Sequence, residues 1–458
     1  MTVNYDSRFT SKTTSVLQRD VLNSITSYST NELQEFSKDL RISKLTRTID
    51  DTNTSIVGNE LSIKLKKSFN GNNFALEALE KGASYSVIDD KSILNKNKNL
   101  IYVDDSLKSL QELSSYHRSQ FDTKIIGVTG SNGKTTTKNL IHSILSQKYN
   151  VIKTKGNLNN HIGVPLSLFG INEEVDIAII EMGANHIGEI KSLCEIAMPD
   201  LGLITNYGMA HLEGFGGFKG VIEGKTEMFE YLTQNYGHII LNNDDDLQIK
   251  NCKGDLAVTF GEKLDSEFVY NYLKLDDKLI IKSDNYEFRS GIYGDFNFSN
   301  LASSITIGKF FDLTNDEIQS GLDLFENDSN RSEIIKFGSN RIFLDAYNAN
   351  PTSIKAAILN FDKEITANKI LVLGDMFELG KYSDKEHQNI VDLIDYKNYI
   401  KVYLVGNNFY KCKTEEIKIE KFRSLDEMTK SVNLNDFDSM NILIKGSRGI
   451  GLEKLVNY

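Results

Sequence analysis

One strand–loop–helix pattern constrains the fold of this chain most strongly. The segment Lys124–Thr129 is a short β-branched run, KIIGVT, of the kind that forms a buried strand. Gly-Ser-Asn-Gly follows it, and Lys134–Gln147 then shows the spacing of an amphipathic helix. Glycines let the backbone curl until successive N–H groups face one point, and the helix adds the positive end of its dipole. The pattern predicts a nucleotide-binding loop on a parallel α/β sheet.

The loop itself, TGSNGKTTT, supplies the groups that phosphate and Mg²⁺ require. Lys134 can reach β- and γ-phosphate oxygens, and the Thr135 hydroxyl can complete a magnesium shell. The strict pattern GxxxxGK[ST] would need glycine at Val128, so the consensus is imperfect. The alternative is a glycine-rich turn with an exposed lysine, which leaves the polar run unexplained. The candidate ATP-binding residues of this segment are Gly130, Ser131, Asn132, Gly133, Lys134, Thr135 and Thr136.

Strand and helix patterns alternate along two stretches, which predicts an α/β protein with a mainly parallel sheet covered on both faces. Further strands of the first stretch are predicted at Asn150–Lys153, Asp176–Ile180, Leu201–Thr205 and His238–Leu241. A second alternation begins near Arg341, with strands in IFLDAY, KILVLGDM, KVYLVG and NILIKG. The chain has 458 residues, too many for one core. We expect a central domain at 121–327 and a doubly wound domain at 328–458, preceded by a less regular region.

Composition excludes several classes of function. The net charge of −11 argues against nucleic acid as the main partner, because phosphate backbones recruit basic surfaces. No run approaches the roughly 20 apolar residues of a membrane helix, so no membrane insertion is expected. Cys194, Cys252 and Cys412 have neither metal-type nor disulfide spacing, which predicts reduced thiols in a cytoplasmic protein. Residues 1–30 are rich in serine and threonine, and we expect a loosely attached extension there.

Two side chains that follow apolar strands are candidates to complete a magnesium site. Glu181 comes at the end of DIAIIE, so its carboxylate should lie at the same sheet edge as the loop. His211 follows the strand pattern LGLIT and is expected near that edge. A buried structural carboxylate and a structural histidine are the alternatives, and the residues by themselves leave both open.

Seven segments, in the correct order from about Phe69 to the carboxyl terminus, resemble the Mur ligases. They are TGSNGKTTT, GNLNNHIGVP, EMGANHIGEI, AHLEGFG, DAYNANPTS, LGDMFELG and KGSRG. The resemblance implies a small α/β amino-terminal domain for a UDP sugar at 31–120, a central ATPase and a Rossmann-like carboxyl-terminal domain. It implies ATP-dependent ligation of D-alanyl-D-alanine to UDP-N-acetylmuramoyl-tripeptide in peptidoglycan precursor synthesis. For such a cytoplasmic enzyme we expect a monomer.

The resemblance also implies roles for residues outside the loop. Glu181 and His211 match metal-binding positions, and Lys225 matches the lysine that these enzymes carbamylate with CO₂. A carbamate replaces a cation by an anion with two oxygens, which suits Mg²⁺; without the resemblance, Lys225 would be interpreted as a solvated helix lysine. Further implied ATP contacts are Asn297, Asn300, Arg331 and Asp345. Implied substrate contacts are Thr46, Arg47, Asn157, Asn159, Asn160, His161, Tyr347, Asn348, Asn350, Lys445, Ser447 and Arg448. For the residues of these two lists, a structural or solvated role is the alternative.

The sequence departs from the Mur ligase pattern near its amino terminus. Leu45 stands where the family has Asp, before Thr46 and Arg47, and LSIKLKKS replaces the expected strand Phe-x-Ala-Leu-Lys-Gly. Contacts to the uridine nucleotide are therefore left open. One alternative is a sister ligase that adds a single amino acid, although its usual Asn-Pro-Arg signature does not occur in this sequence. Folylpolyglutamate synthetase shares the architecture but not GNLNNHIGVP followed by EMGANHIGEI. The last alternative is a nucleotide-binding homologue that has lost ligation.

Overall fold

A computed structural model describes residues 2–5, 56–60, 71–275, 278–326 and 333–456. The chain divides into two units, Met1–Ser109 and Leu110–Tyr458. Within the described ranges, no helix combines the length and the hydropathy that crossing a bilayer requires. The three cysteines are free thiols, as the sequence predicts.

The described part of the first unit consists of short elements. They are β1 (Thr2–Tyr5), β2 (Ile56–Glu60), α1 (Ala75–Glu80), β3 (Ser86–Ile88) and β4 (Leu100–Tyr102). β1 and β2 pair antiparallel, whereas β3 and β4 pair in parallel. Ala75, Ile88 and Leu100 form its buried apolar cluster. Helix α2 (Ser106–Arg118) follows and runs across the boundary between the units.

A seven-stranded parallel sheet organises the first half of the second unit. Its strands are β5 (Lys124–Thr129), β6 (Val151–Lys153), β7 (Ile177–Glu181), β8 (Leu201–Ile204), β9 (His238–Asn242), β10 (Ala257–Gly261) and β11 (Phe268–Val269). The order is β11-β10-β9-β8-β5-β7-β6, and every pair is parallel. β5 thus lies between β7 and β8, where the chain crosses from one side of it to the other. Ligands of open α/β sheets bind outside such a point.

Helices cover both faces of this sheet. They are α3 (Lys134–Leu145), α4 (Gly163–Leu168), α5 (Glu189–Ala197), α6 (Leu212–Phe215), α7 (Phe218–Gln234), α8 (Asp246–Asn251), α9 (Phe298–Phe310) and α10 (Asn315–Asp323). Alternate residues of β5 enter different cores: Ile125 packs in the cluster with α5 and α7, and Ile126 and Val128 pack in the cluster with α3 and α9. This alternation confirms the predicted parallel sheet with two covered faces.

A small antiparallel sheet interrupts the α/β alternation before α9. Its strands are β12 (Asn271–Leu275), β13 (Lys278–Ser283) and β14 (Tyr286–Arg289). Ile281 and Phe288 join the same buried cluster as Leu301 and Ile305 of α9. The sequence did not predict this sheet, because charged residues flank or interrupt the apolar residues of its strands.

The carboxyl-terminal half is a second α/β domain with a six-stranded sheet in the order β15-β16-β20-β17-β18-β19. Its strands are β15 (Glu333–Phe337), β16 (Asn340–Asp345), β17 (Lys369–Gly374), β18 (Lys401–Val405), β19 (Ile419–Phe422) and β20 (Asn441–Lys445). Its helices are α11 (Pro351–Glu364), α12 (Ser383–Leu393), α13 (Asn407–Lys411) and α14 (Leu425–Ser431). Only β15 is antiparallel. The four predicted strands are found and the fold class is confirmed; the domain limits near residues 30, 120 and 327 stay predictions.

The two domains of this unit meet through an apolar part and a polar part. The rings of Tyr293 and Phe343 lie 5.0 Å apart between centroids, and the Tyr293 hydroxyl accepts a 2.9 Å hydrogen bond from Asn360. On the polar side, the Thr352 hydroxyl accepts a 2.9 Å hydrogen bond from the backbone N–H of Met209. The carboxyl-terminal domain is thereby placed over the end of the central sheet from which the phosphate loop starts.

Candidate active site

The phosphate loop lies at the carboxyl end of β5 and turns directly into α3. Gly133 adopts a left-handed conformation, with φ 84°, immediately before Lys134, and it offers no side chain to cap the helix. The first N–H groups of a helix have no carbonyl partner within it, so those of α3 are available to phosphate oxygens. Lys134 Nζ donates a 2.6 Å hydrogen bond to the carbonyl of Gly130, so the ammonium group lies against the loop. The predicted strand, loop and helix are all found.

Residues that follow β8 hold the loop in shape. Ser131 Oγ donates to the carbonyl of Gly208 at 2.8 Å, and Thr205 Oγ1 donates to the carbonyl of Asn132 at 2.6 Å. The backbone N–H of Asn132 in turn donates to Asn206 Oδ1 at 3.1 Å. The sequence singled out neither Thr205 nor Asn206, because their role depends on β8 lying beside β5 in the sheet.

Gly130→Ala is expected to destabilise the protein by roughly 2 kcal/mol more than Gly338→Ala. Both glycines have positive φ, 140° and 61°, so both variants carry backbone strain. An added Cβ at Gly130 would lie 1.9 Å from Thr205 Oγ1, whereas at Gly338 no described atom lies within 4 Å of it. Urea denaturation of the two variants measures the difference. Equal free energies of unfolding would contradict the prediction.

Glu181 is a buried, ionised carboxylate at the end of β7. Its side chain lies 3.1 Å from Lys138 Nζ and accepts a 2.8 Å hydrogen bond from Asn159 Nδ2. Burial by itself would raise the pKa of this carboxyl, but the charges of Lys138 and Lys134 and the bond from Asn159 hold the pKa below its ordinary value. Lys138 is a site residue that the sequence did not predict. The available signal was its spacing, one helical turn after Lys134 on α3.

Lys225 lies on α7 with 1% of its surface exposed. Burial lowers the pKa of its ammonium well below the ordinary value, and the charge of Lys134 lowers that pKa further. The Phe215 ring lies 5.4 Å from Nζ, and among the described residues Nζ has neither a hydrogen bond nor an ion pair. These surroundings favour a neutral amine. The solvated lysine that the helix pattern alone suggested is wrong for this position.

His211 lies on the turn before α6 and has a left-handed backbone, with φ 54°. Its Nδ1 contacts the carboxylate of Glu378, which belongs to the carboxyl-terminal domain. Glu378 lies within LGDMFELG, but the sequence did not single it out.

These side chains fit a cation that arrives together with phosphate. The structure as described contains no group of three or more His, Cys, Asp and Glu residues placed to hold a metal. Thr135, with 6% exposure, adds a buried hydroxyl to the ionised Glu181 and to the imidazole of His211. Because Mg²⁺ in nucleotide enzymes takes one or two carboxylates plus phosphate oxygens, Glu181 and the Thr135 hydroxyl suit Mg²⁺ bound with ATP, and His211 as a further ligand stays a prediction.

The two asparagines expected near adenine pack against the loop. A Cβ added to Gly133 would lie 2.4 Å from Asn300 Oδ1. Asn300 donates to Asn297 Oδ1 at 2.9 Å, and Asn297 donates to the carbonyl of Tyr293 at 2.8 Å. Both are buried and hydrogen-bonded, so they fix the beginning of α9 beside the loop. Their contact with adenine stays a prediction.

Among the described residues, the predicted ATP and substrate contacts of the carboxyl-terminal domain lie at the strand ends and loops that face the phosphate loop. Asp345 and Lys445, at the ends of neighbouring strands, form an ion pair, which joins an expected ATP contact to an expected substrate contact. Asn350 caps α11 through Ser353 and donates to Asn132 Oδ1 of the phosphate loop at 2.6 Å.

The remaining candidates of this domain surround the ion pair and the loops beside it. The carbonyl of Asn348 lies 3.5 Å from Lys445 Nζ. Arg448 lies over the ring of Tyr347 at 5.4 Å, and Ser447 Oγ accepts from the backbone N–H of Phe377 at 3.2 Å.

The other predicted substrate contacts divide into three groups. Asn159 reaches Glu181, and Asn160 Oδ1 accepts from the backbone N–H of Gly163 at the beginning of α4. Asn157 and His161 are exposed. Thr46 and Arg47 lie outside the described residues, and so does Arg331, a predicted ATP contact.

Comparison with known proteins agrees with this arrangement. Residues 128–308 match the family model of the Mur ligase middle domain, and residues 330–448 match that of the Mur ligase glutamate ligase domain. Residues 1–68, which include the stretch that departs from the Mur ligase pattern, match the C-terminal domain III of baseplate structural protein gp6.

Curated relatives and solved structures extend the similarity over most of the chain. The UDP-N-acetylmuramoyl-tripeptide--D-alanyl-D-alanine ligase of Bacillus subtilis is 34% identical over 87% of this chain and 89% of its own. Its Escherichia coli counterpart is 31% identical over 86% of this chain and 90% of its own. The crystal structure of MurF from Thermotoga maritima in complex with ADP has a TM-score of 0.76 at 26% identity, covering 86% of this chain and 92% of that one.

Proposed function

Because this chain belongs to the Mur ligase family, we propose that it joins D-alanyl-D-alanine to UDP-N-acetylmuramoyl-tripeptide at the expense of ATP. The observation that carries the proposal is electrostatic. Lys134 lies close enough to Glu181 and to Lys225 to lower the pKa of both. The phosphate loop, an ionised carboxylate and a neutral buried amine therefore share one site. Sites for phosphoryl transfer bring together a phosphate-binding loop, its lysine and a carboxylate that can hold a metal ion.

The reaction proceeds in two steps. A carboxylate oxygen of the tripeptide attacks the γ-phosphorus of ATP, which forms an acyl phosphate and releases ADP. The amine of D-alanyl-D-alanine then attacks the acyl carbon, loses a proton and expels inorganic phosphate from the tetrahedral intermediate. Lys134 is placed to neutralise negative charge on the transferring phosphoryl group, which is electrostatic stabilisation rather than covalent chemistry. The carboxyl-terminal domain excludes water, which would otherwise hydrolyse the acyl phosphate.

Lys225 is proposed to be carbamylated. Its neutral nitrogen attacks the carbon of CO₂, and loss of one proton leaves a carbamate anion in place of the amine. Burial supports this step, because it lowers the pKa of Lys225 well below the ordinary value and so favours the unprotonated amine. Thr135, Glu181, His211 and the carbamate would hold Mg²⁺. When bound, Mg²⁺ neutralises charge on phosphate oxygens.

The choice of amine tests the proposed function. We expect phosphate release with ATP and UDP-N-acetylmuramoyl-tripeptide to depend on D-alanyl-D-alanine, with at least about 10²-fold lower kcat/KM for D-alanine, L-lysine or diaminopimelate. A site that binds a dipeptide loses several contacts when it is offered a single residue. Coupled phosphate detection with each amine provides the measurement. Equal or greater activity with a single amino acid would overturn the assignment.

A second candidate, a nucleotide-binding homologue without ligation, is favoured by the match of residues 1–68 to a baseplate domain. Calorimetry separates the two candidates. Ordinary ATP affinity together with no binding of UDP-N-acetylmuramoyl-tripeptide would support the second. Binding of both ligands supports the ligase.

We further propose that the enzyme works as a cytoplasmic monomer. The three cysteines are free thiols, as in a reducing compartment, which supports the cytoplasmic location. Sedimentation of the protein with ATP and the UDP-linked substrate checks the oligomeric state.

A further inference from the structure

The contact between His211 and Glu378 joins the two α/β domains at the proposed metal site. Both residues have left-handed backbones, with φ 54° and 61°. Such conformations are uncommon for residues other than glycine and persist where the surrounding structure enforces them. The two strained positions lie on opposite sides of the interface and bring one imidazole nitrogen to one carboxylate.

Three further contacts hold the segment 378–382 against the turn at 211–217. The backbone N–H of Glu213 donates to the carbonyl of Glu378 at 3.2 Å. Tyr382 OH donates to the carbonyl of Gly216 at 3.3 Å. Gly380 packs so closely that an added Cβ would lie 3.0 Å from the side chain of Glu213. The position of Glu378 relative to His211 is therefore fixed from several sides.

The residues before Glu378 are anchored within their own domain. His387 is fully buried and accepts from the backbone N–H of Met376 at 3.0 Å through Nε2, while Nδ1 lies 2.8 Å from the carbonyl of Ser383. The Asp375 carboxylate accepts from the backbone N–H groups of Asn408 and Phe409, each at 2.8 Å. Glu378 thus extends from a rigid frame and not from a free loop.

We propose that Glu378 is a positioning residue for His211. Its carboxylate accepts the Nδ1–H of the imidazole, which leaves the lone pair on Nε2 free to bind the divalent cation. Histidines that bind metals generally donate their other ring N–H to a carboxylate or carbonyl in this way. Because Glu378 comes from the carboxyl-terminal domain, His211 is oriented as a ligand only when that domain is docked. The inference rests on the proposed function, in which His211 binds the metal.

The test uses Mn²⁺ as the probe, titrated by electron paramagnetic resonance in the presence of ADP. Glu378→Ala is expected to weaken Mn²⁺ binding by about 10- to 100-fold. Glu378→Gln keeps an oxygen that accepts from Nδ1–H, so it is expected to retain more affinity than Glu378→Ala. Glu415→Gln removes an exposed carboxylate of the same domain and is expected to bind like the wild type. Thermal unfolding of each variant shows whether it is folded, and a Glu378→Gln variant as weak as Glu378→Ala would overturn the proposed hydrogen bond.

A double-mutant cycle with His211→Ala shows whether Glu378 acts through His211. In the His211→Ala background, Glu378→Ala is expected to weaken Mn²⁺ binding by less than about a further twofold. Both substitutions act on the same imidazole ligand of the metal. An undiminished effect in that background would overturn the inference. If His211→Ala weakens Mn²⁺ binding and Glu378→Ala does not, the inference fails alone. If neither variant weakens binding, the assignment of His211 to the metal fails as well. The amine-dependent phosphate release of the wild type decides separately whether the chain is a ligase.

Discussion

Lys225→Met is expected to lose at least about 10²- to 10³-fold in ligation rate while it unfolds at the same or a higher urea concentration. Methionine fills nearly the same volume but cannot form a carbamate. The Lys225 side chain has no ion-pair partner among the described residues and its Nζ lies over the Phe215 ring, so an apolar side chain suits its surroundings. A purely structural lysine would behave in the opposite way, because its removal would cost stability.

The measurement pairs D-alanyl-D-alanine-dependent phosphate release with urea denaturation. Lys219→Met is the matched control, since Lys219 is an exposed lysine on the same helix. Depletion of CO₂ should lower the wild-type rate and leave the residual rate of Lys225→Met unchanged. A Lys225→Met variant that keeps more than a tenth of the wild-type rate would refute the carbamate.

Lys134→Ala is expected to lower kcat by about 10²- to 10³-fold with a small effect on folding. The ammonium is half-buried and donates to the carbonyls of Gly130 and Ser131, so it lies within the loop that is expected to hold the phosphates. Its loss also raises the pKa of Glu181, because Lys134 is one of the charges that lower it. Phosphate release at saturating ATP provides the measurement. A variant with unchanged kcat and a raised KM would show that Lys134 binds ATP equally in the ground and transition states.

Lys138→Ala provides the structural contrast to Lys134→Ala. Lys138 and Glu181 are both buried, so removal of the lysine leaves a buried carboxylate without its ion-pair partner. We expect a loss of about 3 kcal/mol in the free energy of unfolding. Comparison of the two alanine variants by urea denaturation separates the lysine that supports the fold from the lysine that supports the reaction.

Strands and helices with a clear hydrophobic pattern could be predicted from the sequence. Those whose position depends on packing against distant parts of the chain could not. β5, α3 and the four strands of the last domain carry continuous apolar patterns and were found. β15 and β19, at the two edges of the last sheet, are short and mix apolar with charged residues, so the sequence shows no clear strand pattern there.

The residues of the candidate site divide in the same way, into those that local pattern predicts and those that only packing brings together. Glu181 ends β7 and Lys134 begins the helix after the loop that follows β5, so local pattern places both at one sheet edge. The burial of Lys225 and the contact of Glu378 with His211 depend on helices and domains that pack from far along the chain. For Lys225, the resemblance to a family supplied a role that no local pattern contained. Its low pKa became visible only with the packed core around it.

The uneven interface between the two α/β domains sets the direction in which they can move. Its side near the phosphate loop consists of hydrogen bonds such as those from Asn350 to Asn132 and from Met209 to Thr352. Water can replace these bonds at a small net cost, whereas separation of Tyr293 from Phe343 exposes aromatic surface. We therefore expect the domains to swing about the aromatic contact as an axis. ATP would enter and ADP would leave on the hydrated side.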